Sequence, residues 1–260
     1  MEFKVGFIGC GNMGSALLKG IVEKIGAKNC CVSEKEKQKA QNFIDLGVSY
    51  LTSSEVVLKS EYVFLAVKPQ VMKEVVSSFP KSEATFITMA AGLELESIEN
   101  YLGEKAPVIR IMPNLPCGIK KGVILYCYNS LVDEKKLNNF KFLLEDLGLI
   151  DEISEEKMDI ASVVSGCGPA YAYMFIKSIA DSATECGLDD KKAILYALRT
   201  VEGAAKMIEH SKEDIETLIN NVCSPKGTTI EGVETLRNKD FAKIVDEAVK
   251  ASFTRAKELK

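Results

Sequence analysis

The feature that most constrains this chain is the run Val5-Gly6-Phe7-Ile8-Gly9-Cys10-Gly11-Asn12-Met13-Gly14-Ser15. A short apolar strand leads straight into Gly-x-Gly-x-x-Gly, and a helical segment, 15–25, follows. Gly9 permits a tight turn, Gly11 lets the backbone approach a pyrophosphate, and Gly14 lets the helix pack close to the strand. Free N–H groups and the helix dipole at such a first turn favour anions. A mere tight turn would need the same glycines, so the reading depends on what surrounds them.

The surroundings repeat the pattern. Apolar runs at 4–8, 30–33, 62–67, 85–89 and 108–112 read as strands, and 15–25, 36–46, 71–77 and 95–102 read as helices between them. Tyr62-Val63-Phe64-Leu65-Ala66-Val67 is apolar throughout, as a strand buried on both faces should be. Such alternation predicts a parallel sheet. Two further strands, 122–128 and 149–153, flank a helix at 134–147. With three glycines in register at the first turn, this is an α/β Rossmann-type N-terminal domain, expected over residues 1–153, and its turn (Gly9, Cys10, Gly11, Asn12, Met13, Gly14) is expected to hold a dinucleotide.

After residue 153 the pattern changes. Segments 158–187, 191–209, 214–222, 228–236 and 241–259 all read as helices, separated by turn signals such as Ser224-Pro225-Lys226-Gly227. Residues 154–260 are therefore expected to form an all-α domain. Its stretch 170–183 is apolar on most faces (Tyr171, Met174, Phe175, Ile176, Ile179 among others), and a helix of that kind must be enclosed. Five helices struggle to enclose it alone, which predicts a homodimer with this domain as the dimerisation unit.

In open α/β sheets ligands bind beyond the carboxyl ends of the strands. Three strands end suitably: at Ala66-Val67-Lys68-Pro69, at Ala90-Ala91-Gly92, and at Met112-Pro113-Asn114. These residues are expected to line the cofactor groove. The second strand ends at Ser33-Glu34-Lys35. Glu34 fits an acid bonded to the adenosine 2′-hydroxyl, which points to NADH; Ser33 with Lys35 and Lys37 would instead hold a 2′-phosphate, which points to NADPH. Both cofactors stay open at this point, and Ser53 is counted with the same group of cofactor contacts.

Composition narrows the function further. The 260 residues are 47% hydrophobic and 27% charged with a net charge of −4, so a packed core is expected and nucleic acid is not an expected partner. Neither a secretory leader nor a membrane-length apolar run is evident, so a cytoplasmic protein is expected. The eight cysteines form no Cys-x-x-Cys, and the single histidine, His210, lies in a polar helix end, so no metal site is expected. Any chemistry must proceed without a histidine dyad.

At this level of detail the chain resembles the Δ1-pyrroline-5-carboxylate reductase family over essentially its whole length. The resemblance is carried by residues 6–14, by Ala66-Val67-Lys68-Pro69, by Met112-Pro113-Asn114, and above all by Ser165-Gly166-Cys167-Gly168-Pro169-Ala170-Tyr171 and Ser224-Pro225-Lys226-Gly227-Thr228-Thr229-Ile230. It implies hydride transfer from NADPH or NADH to C5 of a cyclic imine, giving L-proline. It also implies a five-helix domain that dimerises, in some members within a decamer. By position it implies that Ser224, Gly227, Thr228 and Thr229 hold the substrate carboxylate, and that Thr229 bonds the imine nitrogen as the catalytic hydroxyl. Asn221 would bridge substrate and nicotinamide, and Glu155 would lie near the ring nitrogen. Free N–H groups before a helix suit a carboxylate, although Ser224 or Thr228 as plain helix caps and Glu155 as a surface acid account for the same residues. Lys226 departs from the family, which often has glycine there, and Glu34 is unlike the small or basic residues usual in its NADPH-preferring members.

Three other functions fit parts of the pattern. A short-chain dehydrogenase would use Tyr173-x-x-x-Lys177, but the glycine spacing is wrong for that class. A β-hydroxyacid dehydrogenase would want Lys-x-x-Asn where Lys177 is followed by Ser178-Ile179-Ala180. A dinucleotide-binding regulator without turnover would have no use for the 224–229 loop.

Overall fold

The structure is a computed structural model that describes residues 1–103 and 105–258. Its first compact unit comprises Met1–Gly166 together with the chain from Phe253 onward; the second is Cys167–Ser252.

The first unit follows the alternation of the sequence. In chain order it contains β1 (Phe3–Ile8), α1 (Asn12–Ile25), β2 (Cys30–Ser33), α2 (Lys37–Asp45), β3 (Ser49–Tyr50), α3 (Ser53–Lys59), β4 (Ser60–Leu65) and α4 (Pro69–Val76). Then come β5 (Thr85–Thr88), α5 (Leu95–Leu102), β6 (Val108–Pro113), β7 (Gly122–Tyr128), α6 (Glu134–Leu144), β8 (Gly148–Glu152) and α7 (Glu155–Ser162). The sheet order is β3-β2-β1-β4-β5-β6-β7-β8. Successive residues of a strand face opposite sides, and each side has its own core. Val5, Phe7, Tyr62 and Phe64 pack with Leu17, Leu18 and Phe140 on one face. Ile8, Val63, Leu65 and Phe86 pack with Val56, Met72 and Ile98 on the other. The Phe7 and Phe64 rings stack with centroids 4.5 Å apart.

Three expectations need correction. The sheet is not parallel throughout: β7 runs antiparallel to β6, with Ile111 opposite Tyr126. The connection between them is a single short 3₁₀ turn, Leu115–Ile119, and a parallel return needs a dozen or more residues. A helix and a short strand, α3 and β3, lie in the stretch between 46 and 62, where the sequence reading places neither. The start of α3 is a capping box in which the Thr52 hydroxyl accepts from the Glu55 N–H and Glu55 accepts from the Thr52 N–H. Finally, the helix predicted over 158–187 is not regular throughout. A turn of wider π-type helix at Val163–Cys167 separates α7 from α8 (Gly168–Glu185).

The second unit contains α8, α9 (Asp190–His210), α10 (Ile215–Val222), α11 (Thr228–Asn238) and the first part of α12 (Phe241–Glu258); the predicted end of that last helix at Leu259 lies outside the described residues. Asp189 and Asp214 cap α9 and α10 by accepting from Lys192 N–H and Thr217 N–H. Its buried cluster is small: Ala180, Ala193 and Ala197. Tyr173, Met174, Ile194, Tyr196, Ile215 and Ile244 are exposed. The stretch predicted to need enclosure is thus not enclosed by its own unit. Among the described residues no helix is long and apolar enough to cross a membrane.

Candidate active site

The chain direction sets the position of the first site. From β1 the chain passes to β2 and β3 on one side, then returns to β4 on the other. The loops leaving β1 and β4 therefore diverge, and in open α/β sheets such a switch point is where a ligand crevice forms. Gly9, just after β1, has φ +94°, and a Cβ there would lie 2.5 Å from the Ala66 carbonyl oxygen. Gly14 is as close to the far side of the turn: a Cβ would meet that of Ala66 at 2.8 Å. Gly11, by contrast, faces open space and is the N-cap of α1, whose first turn has no side-chain cap. Asn12 is exposed and Met13 half-buried beside it. Gly9 and Gly14 thus sit where only a glycine packs, and Gly11 faces open space.

The rest of the groove assembles around this turn. Ala66 donates its N–H to Ile8 at 2.8 Å, which joins the two strand ends. Lys68 is the exposed N-cap of α4, and Pro69 occupies the first helical position, where its missing N–H costs nothing. Val67 is half-buried, Ala90 is buried, Ala91 is exposed and Gly92 has φ +78°. At the end of β2, Glu34 reaches back to the turn: its Oε2 accepts from the Cys10 N–H at 2.7 Å. The Ser33 and Ser53 hydroxyls lie 3.0 Å apart, and Lys35 is exposed next to them.

Cys10 itself is buried, with its Sγ 3.3 Å from the Ser15 hydroxyl. Burial pushes its thiol up, the Ser15 hydroxyl opposes this and the Glu34 carboxylate adds to it. Burial likewise pushes the thiols of Cys30 and Cys127 up to about 12. Such thiols are packing groups rather than nucleophiles. Among the described residues no cluster of histidine, cysteine and acidic side chains could hold a metal ion.

Two predicted site residues have internal partners. Asn114 is buried, and both ends of its amide are engaged: Nδ2 donates to the Ser165 carbonyl at 2.8 Å, and Oδ1 accepts from the Val123 N–H at 2.9 Å. It joins the end of β6 to β7 and to the π-type turn. Glu155 accepts from the Leu95 N–H at 2.8 Å and from Arg110 Nη1 at 3.0 Å. Arg110 is fully buried, and its Nη2 donates to Asp159 Oδ1 at 3.3 Å. Sequence reasoning passed over Arg110. The signal was present, because a lone cation in Val108-Ile109-Arg110-Ile111-Met112 has no solvent-facing side on which to sit.

The second unit carries the other predicted group. Gly227 is the N-cap of α11, no side chain caps that helix, and the Gly227 N–H donates to the Ser224 carbonyl at 2.9 Å. The plain-cap reading of Ser224 and Thr228 is therefore not what the structure shows. Ser224, Thr228 and Thr229 are exposed at the helix start, and Lys226 holds φ 57° in the turn before it. Asn221, at the end of α10, donates to Glu213 Oε2 at 2.8 Å. Lys177 is paired with Asp181 at 2.6 Å, so the Tyr173/Lys177 spacing does not produce a tyrosine–lysine pair. His210 is exposed, with Nδ1 2.9 Å from the Lys206 carbonyl oxygen.

Comparison with known proteins gives the context. Residues 155–259 match the family description "Pyrroline-5-carboxylate reductase dimerisation", and residues 4–92 match "NADP oxidoreductase coenzyme F420-dependent". The chain is 32% identical to the pyrroline-5-carboxylate reductase of Escherichia coli, covering 100% of this chain and 99% of that one. It is 36% identical to pyrroline-5-carboxylate reductase 3 of Danio rerio, covering 99% and 92%. The crystal structure of Plasmodium falciparum pyrroline carboxylate reductase with NADP bound superposes with a TM-score of 0.91 at 30% identity, over 100% of this chain and 99% of that one. With end-to-end identity at this level, a matching dimerisation region and the same fold, the chain belongs to the pyrroline-5-carboxylate reductase family.

Proposed function

We propose that this protein reduces pyrroline-5-carboxylate to L-proline with a hydride from NADPH or NADH. The observation that carries the reading is the cradle at the β1–β4 switch point: an open Gly11, an uncapped first turn of α1, and close-packed Gly9 and Gly14. Phosphates are anions, and such a helix start offers them N–H donors. Ala66, Val67, Lys68, Pro69, Ala90, Ala91 and Gly92 extend the cradle along the strand ends. The cofactor supplies the hydride, two electrons and one proton nucleus, to C5 of the ring. The carbon–nitrogen π bond breaks as the new C–H bond forms, and its electron pair goes to nitrogen, which takes a proton from water, relayed by the Thr229 hydroxyl.

The chain's own share is positioning, which suits an electrophile that needs no histidine. In this proposal Ser224, Gly227, Thr228 and Thr229 bind the carboxylate at the uncapped start of α11. Thr229 bonds the ring nitrogen, and Asn221 spans substrate and nicotinamide. Residues 1–153 serve as the cofactor domain, and residues 154–260 as the substrate and dimerisation domain. The open apolar side chains of α8 and α9 support a homodimer, and assembly of dimers into a decamer is part of the same proposal. So is a cytoplasmic location, tested by cell fractionation.

The test is direct. Purified protein given pyrroline-5-carboxylate and reduced nicotinamide should oxidise the cofactor and form proline in equal amounts. Folded, cofactor-binding protein that forms no proline would overturn the assignment.

A further inference from the structure

The Plasmodium falciparum pyrroline carboxylate reductase was crystallised with NADP bound, yet the end of β2 in this chain is built differently from a phosphate site. Glu34 is held in place from three directions. Its Oε2 accepts from the Cys10 N–H inside the glycine turn at 2.7 Å, and its Oε1 accepts from the Glu36 N–H at 3.1 Å. The Tyr50 hydroxyl donates to the Glu34 carbonyl, fixing the backbone below. The carboxylate is thus bound to the turn that must carry the pyrophosphate, on the side where the adenosine ribose follows the second strand.

The cations nearby are turned to other partners. Lys37 Nζ lies over the Tyr50 ring, 5.4 Å from its centroid, and Lys39 is paired with Glu36. The Ser33 hydroxyl lies beside that of Ser53. Lys35 is the remaining cation of the run, and it is exposed. A 2′-phosphate placed here would meet a fixed carboxylate at short range, and like charges at short range repel strongly inside a crevice. A ribose 2′-hydroxyl in the same place would donate to it.

We infer that Glu34, fixed by the Cys10 N–H, makes this chain an NADH-preferring enzyme. The inference rests on the proposed dinucleotide site but not on the identity of the imine. It therefore separates this chain from relatives that hold NADP, although the fold is the same.

The experiment measures cofactor binding without substrate. The chain contains no tryptophan, so the cofactor's own fluorescence, or calorimetry, gives the dissociation constants of NADH and NADPH cleanly. NADH should bind about ten-fold more tightly or better, and the gap should narrow as salt is raised. Glu34→Gln keeps an oxygen for the Cys10 N–H and removes the charge; it should tighten NADPH about ten-fold and bring the two cofactors level. Glu34→Ser should do the same if the effect is charge. Equal or tighter NADPH binding by the unaltered protein would overturn the inference, as would an unchanged ratio in both variants or no binding of either cofactor. A clear NADH preference in a protein that makes no proline would leave this inference standing while removing the proposed reaction.

Discussion

Arg110 and Asp159 meet inside the first unit, where the guanidinium Nη2 lies 3.3 Å from Oδ1 and Arg110 is wholly shut off from solvent. Glu155 shares the same guanidinium from the previous turn of α7. A buried cation between two carboxylates is costly to leave half-made. Arg110→Ala should lower the unfolding free energy by about 3–5 kcal/mol in a urea titration. Arg110→Lys should recover only part of this, since an ammonium cannot span two acids as a planar fork does. Additive effects of Arg110→Ala and Asp159→Asn in a double-mutant cycle would show that the pair is not coupled.

Glu155 can be assigned by the same logic. Its carboxylate is held by Arg110 and by the Leu95 N–H that opens α5. Glu155→Gln should lower the thermal midpoint and leave the KM for the imine within about two-fold, as loss of a positioned ion pair with no substrate contact would. A several-fold rise in KM at an unchanged midpoint would put the carboxylate at the ring nitrogen.

Asn114 should behave as a tie rather than as an ordinary groove residue. Both of its amide ends are engaged in a buried setting. Asn114→Ala leaves the half-buried Val123 N–H and Ser165 carbonyl without their partner, which costs about 1 kcal/mol. Hydrogen exchange at Val123 should speed up in the variant, and exchange equal to that of the unaltered protein would remove the tie.

Thr229 carries the chemical part of the proposal. Thr229→Val keeps the shape and removes the hydroxyl. Turnover should fall about 100-fold, the lower range for loss of a positioned proton donor, while NADH affinity is unchanged. Full turnover in this variant would exclude the hydroxyl from the reaction.

The cap of α10 should weaken in acid. The Thr217 N–H and hydroxyl both donate to Asp214, and the backbone bond is the main cause holding its carboxyl below the usual aspartate range. A depressed pKa means that the ionised form stabilises the fold above the ordinary value and that this is lost as pH falls through the folded one. Loss of helicity from α10 should therefore begin below about pH 4, and Asp214→Asn should flatten that limb. Unchanged acid unfolding in the variant would show that the cap does not contribute.

Much of this was legible in the sequence because it is local. The turn at Gly9–Gly14, the run of β1 into α1, and the strands at Cys30–Ser33 and Gly122–Tyr128 depend on glycine geometry and side-chain period within a few residues. The start of α3 was equally local and was passed over: Thr52-x-x-Glu55 is a capping box written in four residues. The π-type turn at Val163–Cys167 was harder, because an apolar helical period runs through it unbroken.

By itself the sequence determined the two-part plan, the glycine turn after β1 and the family. The tertiary structure decided what connects distant positions. It turned β7 against β6, set Arg110 between Glu155 and Asp159, tied Asn114 to Ser165, and brought Glu34 onto the Cys10 N–H. Apart from the strand reversal, each joins residues distant in the chain through hydrogen bonds or ion pairs. No periodicity encodes such a pairing, because it exists only once the sheet has placed both partners at the same depth.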